Sequence, residues 1–283
     1  MINQIIWNVN PVIFNLGFFE IRYYSLFFAL GFLVSYLIIK KIYKKENIPV
    51  KELDSLTVYV VVGGLLGARL GHCLFYEWDY FSKHILEMLL PISFEPDFHF
   101  TGYQGLASHG GTVGVIIAVL IFKVKSTKKS FFWLIDRIAI PTGFAGALIR
   151  TGNLFNSEIY GQQTNIAWGF VFERNGDTVA TYPTQIYEAL CYIITSILLL
   201  QLYKKEKFRN AKGFLLGVFF VMIFTARFFI EFFKQNQVEF ENSMLLNMGQ
   251  ILSIPIVCAG LFLIVYSLKN HAKNNNVHFY SIL

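Results

Sequence analysis

Seven runs of this chain are apolar for long enough to cross a lipid bilayer, and no other feature constrains its fold as much. Within hydrocarbon no water is present to bond a bare amide, so each run must be helical to satisfy its own backbone. The runs are Tyr24–Ile42, Thr57–Tyr76, His109–Val124, Phe132–Ile149, Gln185–Tyr203, Gly213–Phe233 and Met248–Leu268. The third is short, and the fourth contains Pro141, whose missing N–H is expected to kink it. Only 15% of the 283 residues are charged and 55% are hydrophobic, which is too little charge for the surface of a soluble domain of this length. The expectation is an all-α, polytopic integral membrane helix bundle of about seven transmembrane helices. Residues 1–268 form a single transmembrane domain with short outer loops at about 77–108 and 150–184. A cytoplasmic tail, 269–283, follows, and the chain after Leu268, through Lys273-Asn274-Asn275-Asn276, is expected to be disordered. There is no internal repeat. The first basic residue is Arg22, so the start lacks the charged region of a cleaved signal peptide and the first run is expected to remain as a span.

The loop charges orient the bundle. Lys40, Lys41, Lys44, Lys45 and Lys51 lie between the first two runs, Lys123, Lys125, Lys128 and Lys129 between the third and fourth, and Lys204, Lys205, Lys207, Arg209 and Lys212 between the fifth and sixth. With Lys269 and Lys273 these make sixteen basic residues on one side, against Arg22, Lys83, Arg150, Arg174 and Lys234 on the other. The positive-inside rule puts the sixteen in the cytoplasm, the N-terminus outside and the C-terminus inside. The net charge of +6 is spread over these short loops and offers no continuous basic face, which excludes nucleic acid as a partner. Cys73, Cys191 and Cys258 each sit inside an apolar run, with neither a disulfide framework nor zinc spacing.

On this topology polar residues from several spans fall at one depth, the outer leaflet. Tyr23 and Tyr24 stand at the mouth of the first span, and Arg69 and His72 in the outer half of the second. His109-Gly110-Gly111 opens the third, Arg150 closes the fourth, and Arg227 and Glu231 lie near the outer end of the sixth. The inner half of each span is nearly all apolar. An Arg at the centre of a span costs about 2.5–3.5 kcal/mol on insertion scales, so such residues face a wet cavity or a partner. Two bland readings compete with function: Arg227 and Glu231, at i and i+4, can satisfy each other, and Arg69 can bond neighbouring carbonyls. The stretch Arg150–Gly161 carries the strongest signal, because it gathers Arg150, Asn153, Asn156 and Glu158 just beyond an apolar helix. Arg grips phosphate in bidentate fashion, and two on separate helices would make a clamp for a phosphorylated headgroup, against the bland alternative of a polar cap that closes the bundle.

These pieces resemble, in order and over most of the chain, the prolipoprotein diacylglyceryl transferase family. The match runs through NPVIFNLGFFEIRYYSLFFALGF, GARLGHCLFY, SHGGTVGV, RTGNLFNSEIYG, YPTQIYE, ARFFIEFFKQ and MGQILSIPIVCAG. The chain departs from the family pattern at Ile149, at the order Leu154-Phe155, at Tyr182 where a His is usual, and at Ile223. The resemblance implies a transferase of the bacterial inner membrane whose active site faces the outer leaflet. It would move the diacylglyceryl group of phosphatidylglycerol to the lipobox cysteine of a prolipoprotein signal peptide, forming a thioether and releasing glycerol phosphate. It implies no metal and no organic cofactor. A thiol must become a thiolate to attack carbon, which makes His109 the candidate base, and Arg150 and Arg227 the stabilisers of the departing phosphate. Tyr24, Arg69, Gly110, Gly111, Asn153, Asn156, Glu158 and Glu231 complete the expected substrate-binding set. The rival from another class is a membrane anion transporter or channel, which needs polar lining through the whole depth of the membrane.

Overall fold

The computed structural model describes residues 4–17, 20–94, 97–100, 105–235, 241 and 244–280. Its helices are α1 (Tyr23–Lys45), α2 (Val50–Phe75), the short α3 (Trp78–Phe81) and α4 (Ile85–Leu89), α5 (Ser108–Lys125), α6 (Phe131–Phe155), α7 (Thr184–Lys204), the short α8 (Glu206–Asn210), α9 (Phe214–Ile230) and α10 (Met248–Tyr280). Seven of them, α1, α2, α5, α6, α7, α9 and α10, are long and apolar enough to cross a membrane. Among the described residues six short strands accompany them: β1 (Ile5–Trp7), β2 (Val12–Asn15), β3 (Glu20–Arg22), β4 (Ile92–Ser93), β5 (His99–Phe100) and β6 (Phe170–Phe172). They pair as parallel β1–β6 and antiparallel β2–β3 and β4–β5.

Three expectations need correction. Helix α6 runs on through Pro141 to Phe155, so Arg150 and Asn153 are helical rather than loop residues. The backbone at the proline level gains side-chain bonds: Ser196 Oγ donates to the Ile140 carbonyl at 2.8 Å and Thr142 Oγ1 to that of Ile138 at 2.7 Å. Helix α10 continues past Leu268, through Lys273–Asn276, to Tyr280, because an established helix adds one bond for each residue it fixes. The basic end of α6 is not apolar either, since Asp136 and Arg137 are buried there. Asp136 accepts the backbone N–H groups of Gly213 (2.7 Å) and Leu216 (2.9 Å) and so caps the start of α9.

The chain divides into two units, residues 40–134 and residues 1–39 with 135–283. In the first, α2 and α5 meet along glycines. Gly63, Gly67 and Gly71 recur every four residues and share one face of α2; Gly110 and Gly114 do the same on α5. A Cβ at Gly67 would strike the Gly110 carbonyl and the Gly114 backbone, and one at Gly110 would strike Gly67 and Gly71. Backbones approach this closely only where side chains are absent. Arg69 ties α4 to α2 from the other side: its Nη2 donates to the Glu87 carbonyl at 2.7 Å and its Nε to that of Met88 at 3.2 Å, with the Phe81 ring 4.7 Å away. The buried Glu87 side chain accepts from the Phe94 amide (2.9 Å) and the Tyr80 hydroxyl (2.7 Å). Burial works against its charge, but these bonds and the nearby His84 outweigh it and hold the carboxyl below its ordinary range.

In the second unit, Gly143 and Gly146 on α6 lie against Tyr192 and Ser196 of α7, and Gly217 of α9 lies against Gly260 and Ile264 of α10. Asn247 and Gln250 form a reciprocal cap at the start of α10. The Gln250 amide donates to Asn247 Oδ1 at 2.9 Å and the Asn247 amide to Gln250 Oε1 at 3.0 Å. Trp7 of β1 packs edge-on against Phe155 and tilted against Phe170, which fastens the β1–β6 pair to the end of α6.

Candidate active site

The end of α6 begins the site. Arg150 and Asn153 are one turn apart, and Arg150 Nη1 donates to Asn153 Oδ1 at 3.2 Å. The chain then leaves the helix through two left-handed residues, Ser157 (φ 56°) and Ile159 (φ 60°), with Glu158 between them. That turn brings the Glu158 carboxylate back onto the helix end, where Oε1 accepts from Asn153 Nδ2 at 2.6 Å and from Asn156 Nδ2 at 3.3 Å. Tyr24 packs its ring over Gly152, where a Cβ would meet it at 2.9 Å, and lies within electrostatic reach of Arg150 and Glu158.

Helix α7 supplies what the sequence reading missed. Glu188 is 1% exposed and pairs with two cations: Oε2 lies 2.7 Å from Arg150 Nε, and Oε1 lies 2.8 Å from Lys234 Nζ. The Arg150 contact is ionic, without the alignment of a hydrogen bond to that oxygen. One turn further along α7, Tyr192 lies within electrostatic reach of Arg150. Lys234 Nζ also reaches Glu231 Oε1 at 3.3 Å, and Arg227 Nε stands 3.4 Å from that same oxygen. Asn247 Nδ2 donates to Glu231 Oε2 at 3.3 Å, and Gly249 leaves room for the carboxylate, since a Cβ there would meet its carbon at 2.6 Å.

Opposite charges therefore alternate along Arg150, Glu188, Lys234, Glu231 and Arg227. The three middle members are buried, whereas the side chains of Arg150 and Arg227 stay 20% and 32% exposed. The carboxylates hold the two guanidiniums in place and leave part of each open to an incoming anion. A cavity of about 560 Å³ opens beside Glu158 and Lys234, lined also by Ser157, Tyr160 and Asn175. Burial pushes the Tyr160 phenol up, and Asp177 adds to the shift, so it enters the site as a hydrogen-bonding hydroxyl. A cavity of about 600 Å³ in the unit 40–134 is lined by Lys125, Lys128 and Lys129, with Glu52 there bonded by Thr127, and holds none of these groups.

The remaining expected residues lie in the unit 40–134. His109 is exposed on the first turn of α5 and makes no hydrogen bond among the described residues. Gly110 belongs to the glycine seam with α2, so close helix packing accounts for its missing side chain. Gly111 has more room, with Ala68 Cβ 3.4 Å from where a Cβ would sit. Arg69 spends its guanidinium on the Glu87 and Met88 carbonyls, the bland alternative the sequence left open. His72 stacks on Tyr76 and pairs with Glu77 at 3.3 Å.

Fold and site together define a multi-pass membrane protein that holds two partly exposed arginines on a buried chain of ion pairs. The model of the prolipoprotein diacylglyceryl transferase family matches residues 11–266, and the chain belongs to that family. It is 46% identical over 270 residues to a protein of Bacteroides fragilis named phosphatidylglycerol–prolipoprotein diacylglyceryl transferase, covering 94% of this chain and 97% of that one. Proteins of the same name from Porphyromonas gingivalis and Tolumonas auensis are 42% and 41% identical, covering 94% and 95% of this chain and 95% and 100% of theirs. The transporter reading gains no support from these relatives.

Proposed function

We propose that this chain transfers the diacylglyceryl group of phosphatidylglycerol to the lipobox cysteine of a prolipoprotein, the first step of bacterial lipoprotein maturation. The observation that carries the reading is the pair of partly exposed arginines, Arg150 and Arg227, joined through Glu188, Lys234 and Glu231. The cysteine thiolate attacks the glyceryl carbon that bears the phosphate. A carbon–sulfur bond forms, the carbon–oxygen bond breaks, and glycerol phosphate leaves with the electron pair. Charge grows on the departing phosphate, and pre-oriented guanidiniums stabilise it without having to reorganise. Glu158, Asn153 and Asn156 brace Arg150, while Glu231 and Asn247 brace Arg227. Tyr24 lines the Arg150 side. His109 takes the thiol proton, a role an imidazole nitrogen can fill.

Loop charge supports an N-terminus outside, a C-terminus in the cytoplasm and a site level with the outer leaflet of the inner membrane. Arg69 and Gly110 have structural roles in this reading.

The test mixes purified protein with phosphatidylglycerol and a lipobox peptide carrying one cysteine, and reads added diacylglyceryl by mass spectrometry. Lipid-dependent product is expected from the wild type, with losses of about 10²-fold or more in folded Arg150→Ala and Arg227→Ala. Either variant at wild-type turnover would remove the clamp. A His109→Ala protein that turns over normally between pH 6 and 8 would remove the base and leave the clamp standing.

A further inference from the structure

Glu158 is held from outside its own turn. Ser157 and Ile159, the residues flanking it, occupy the left-handed region at φ 56° and 60°. That region crowds Cβ against the backbone and is worst for a β-branched residue such as Ile159. It persists only where the surroundings over-determine it. Here three successive carbonyls are each tied to a different side chain. Asn175 Nδ2 donates to the Ser157 carbonyl at 2.7 Å, Gln185 Nε2 to that of Glu158 at 2.7 Å, and Thr184 Oγ1 to that of Ile159 at 3.1 Å.

Gln185 is the telling member of the three. It is fully buried, on the first turn of α7, and its Oε1 has no partner among the described residues. An unpaired buried acceptor is a cost that an apolar side chain of the same size would avoid. What the amide provides in return is one short bond to the Glu158 backbone. Through that backbone the hold passes to the Glu158 carboxylate, on to Asn153 at 2.6 Å, and from Asn153 to Arg150 at 3.2 Å.

We propose that Gln185 is a positioning residue for diacylglyceryl transfer: it fixes the Ser157–Ile159 turn so that Glu158 braces Asn153 and, through it, Arg150. The inference rests on the reading of Arg150 as the group that meets the phosphate.

Gln185→Met keeps length and volume and removes the donor. In the full-length purified protein, with phosphatidylglycerol and the cysteine peptide, kcat is expected to fall about 10-fold while KM for the lipid moves less than about 3-fold. The diagnostic step adds Ile159→Gly to that variant. Glycine adopts φ 60° without a clash, so the turn no longer needs the same restraint and much of the lost turnover should return. A role confined to packing of α7 predicts no such rescue. Should Gln185→Met fail to fold, the exposed Asn175→Ala carries the test, with Ser157→Gly as its rescue. Wild-type turnover in Gln185→Met, or a loss that Ile159→Gly leaves untouched, overturns the proposal. The unmodified chain and Arg150→Ala run in the same assay. An inactive unmodified chain would sink the reaction, and an active Arg150→Ala would sink the phosphate role; each is distinguishable from the Gln185 result and would take the proposal down with it.

Discussion

Removing the charge of Glu188 isolates the energetic core of the site. Its carboxylate stands 2.7 Å from Arg150 Nε and 2.8 Å from Lys234 Nζ with 1% of its side chain exposed. At an effective dielectric of about 20, unit charges about 3 Å apart attract by roughly 5–6 kcal/mol, so two such pairs reach about 11 kcal/mol at most. Desolvating three ions costs several kcal/mol each, which offsets most of that gain. The intact network therefore contributes little net stability, but it is poised so that losing one member is expensive. Glu188→Gln keeps the shape and leaves two cations facing a neutral amide. Truncating one member of a buried pair costs about 3–5 kcal/mol, and the partial exposure of Arg150 places this case near the lower end, at about 3 kcal/mol. For a chain of this size that lowers Tm by roughly 5 °C. Tryptophan fluorescence during thermal unfolding in detergent reads it, for the wild type, Glu188→Gln, Lys234→Met and the double variant. The double variant removes one cation along with the anion and should recover at least about half of the loss. A Glu188→Gln protein melting within about 1 °C of the wild type, or a double variant showing the full sum of both single losses, would refute the reasoning.

Two further outcomes follow from the other unit. Gly110→Ala should abolish folded protein, because its Cβ strikes Gly67 and Gly71, whereas Gly111→Ala should fold, its Cβ meeting Ala68 at 3.4 Å; size-exclusion recovery from detergent checks both. Glu87 has a folded-state pKa below its ordinary value, so its contribution is fully present above about pH 4.3 and is lost as pH falls through the lower folded value. The Tm gap between wild type and Glu87→Gln should therefore be widest near pH 7 and close on acidification; a gap that widens below pH 4 would show the sign to be wrong.

The spans were legible because hydrocarbon forces one solution on any long apolar run, and each of the seven expected runs overlaps a helix long and apolar enough to cross a membrane. Helix ends were less legible. Thr151-Gly152-Asn153 reads as loop by composition, yet α6 continues through it, because Tyr24 packs on Gly152 and Asn153 bonds Arg150 and Glu158. Arg150, Asn153, Asn156 and Glu158 were found together because they are neighbours in sequence. Glu188 was passed over although it is a lone carboxylate in an apolar run, the signal that had singled out Arg69 and Arg227. Lys234 looked like a loop charge because its burial depends on Glu188 and Glu231, one of them 46 residues away. At Arg69 the same signal marks a residue that bonds the Glu87 and Met88 backbone carbonyls, partners that no sequence pattern marks.

The arrangement also bears on why a phosphate site would be built on carboxylates. Bare arginines would bind an anion more strongly, but they would be mobile, mutually repelling and costly to bury. Here Arg150, Lys234 and Arg227 face Glu158, Glu188 and Glu231, so three positive groups are matched by three negative ones before any lipid arrives. Lys234 is committed to two carboxylates and buried, which leaves the response to new negative charge with the two arginines. Arg150 is tied through Nε to Glu188 and through Nη1 to Asn153, whereas Arg227 has one ionic contact, through Nε, among the described residues. The first is held from more directions, which in the proposed reaction makes it the better fixed point for the phosphodiester. The second would in that reaction keep its remaining N–H groups for charge that appears only as the carbon–oxygen bond breaks. Stabilisation that grows with the reaction raises kcat, while stabilisation already present in the bound lipid lowers KM. On this geometry, loss of Arg227 should fall more heavily on kcat, and loss of Arg150 should raise KM for phosphatidylglycerol as well.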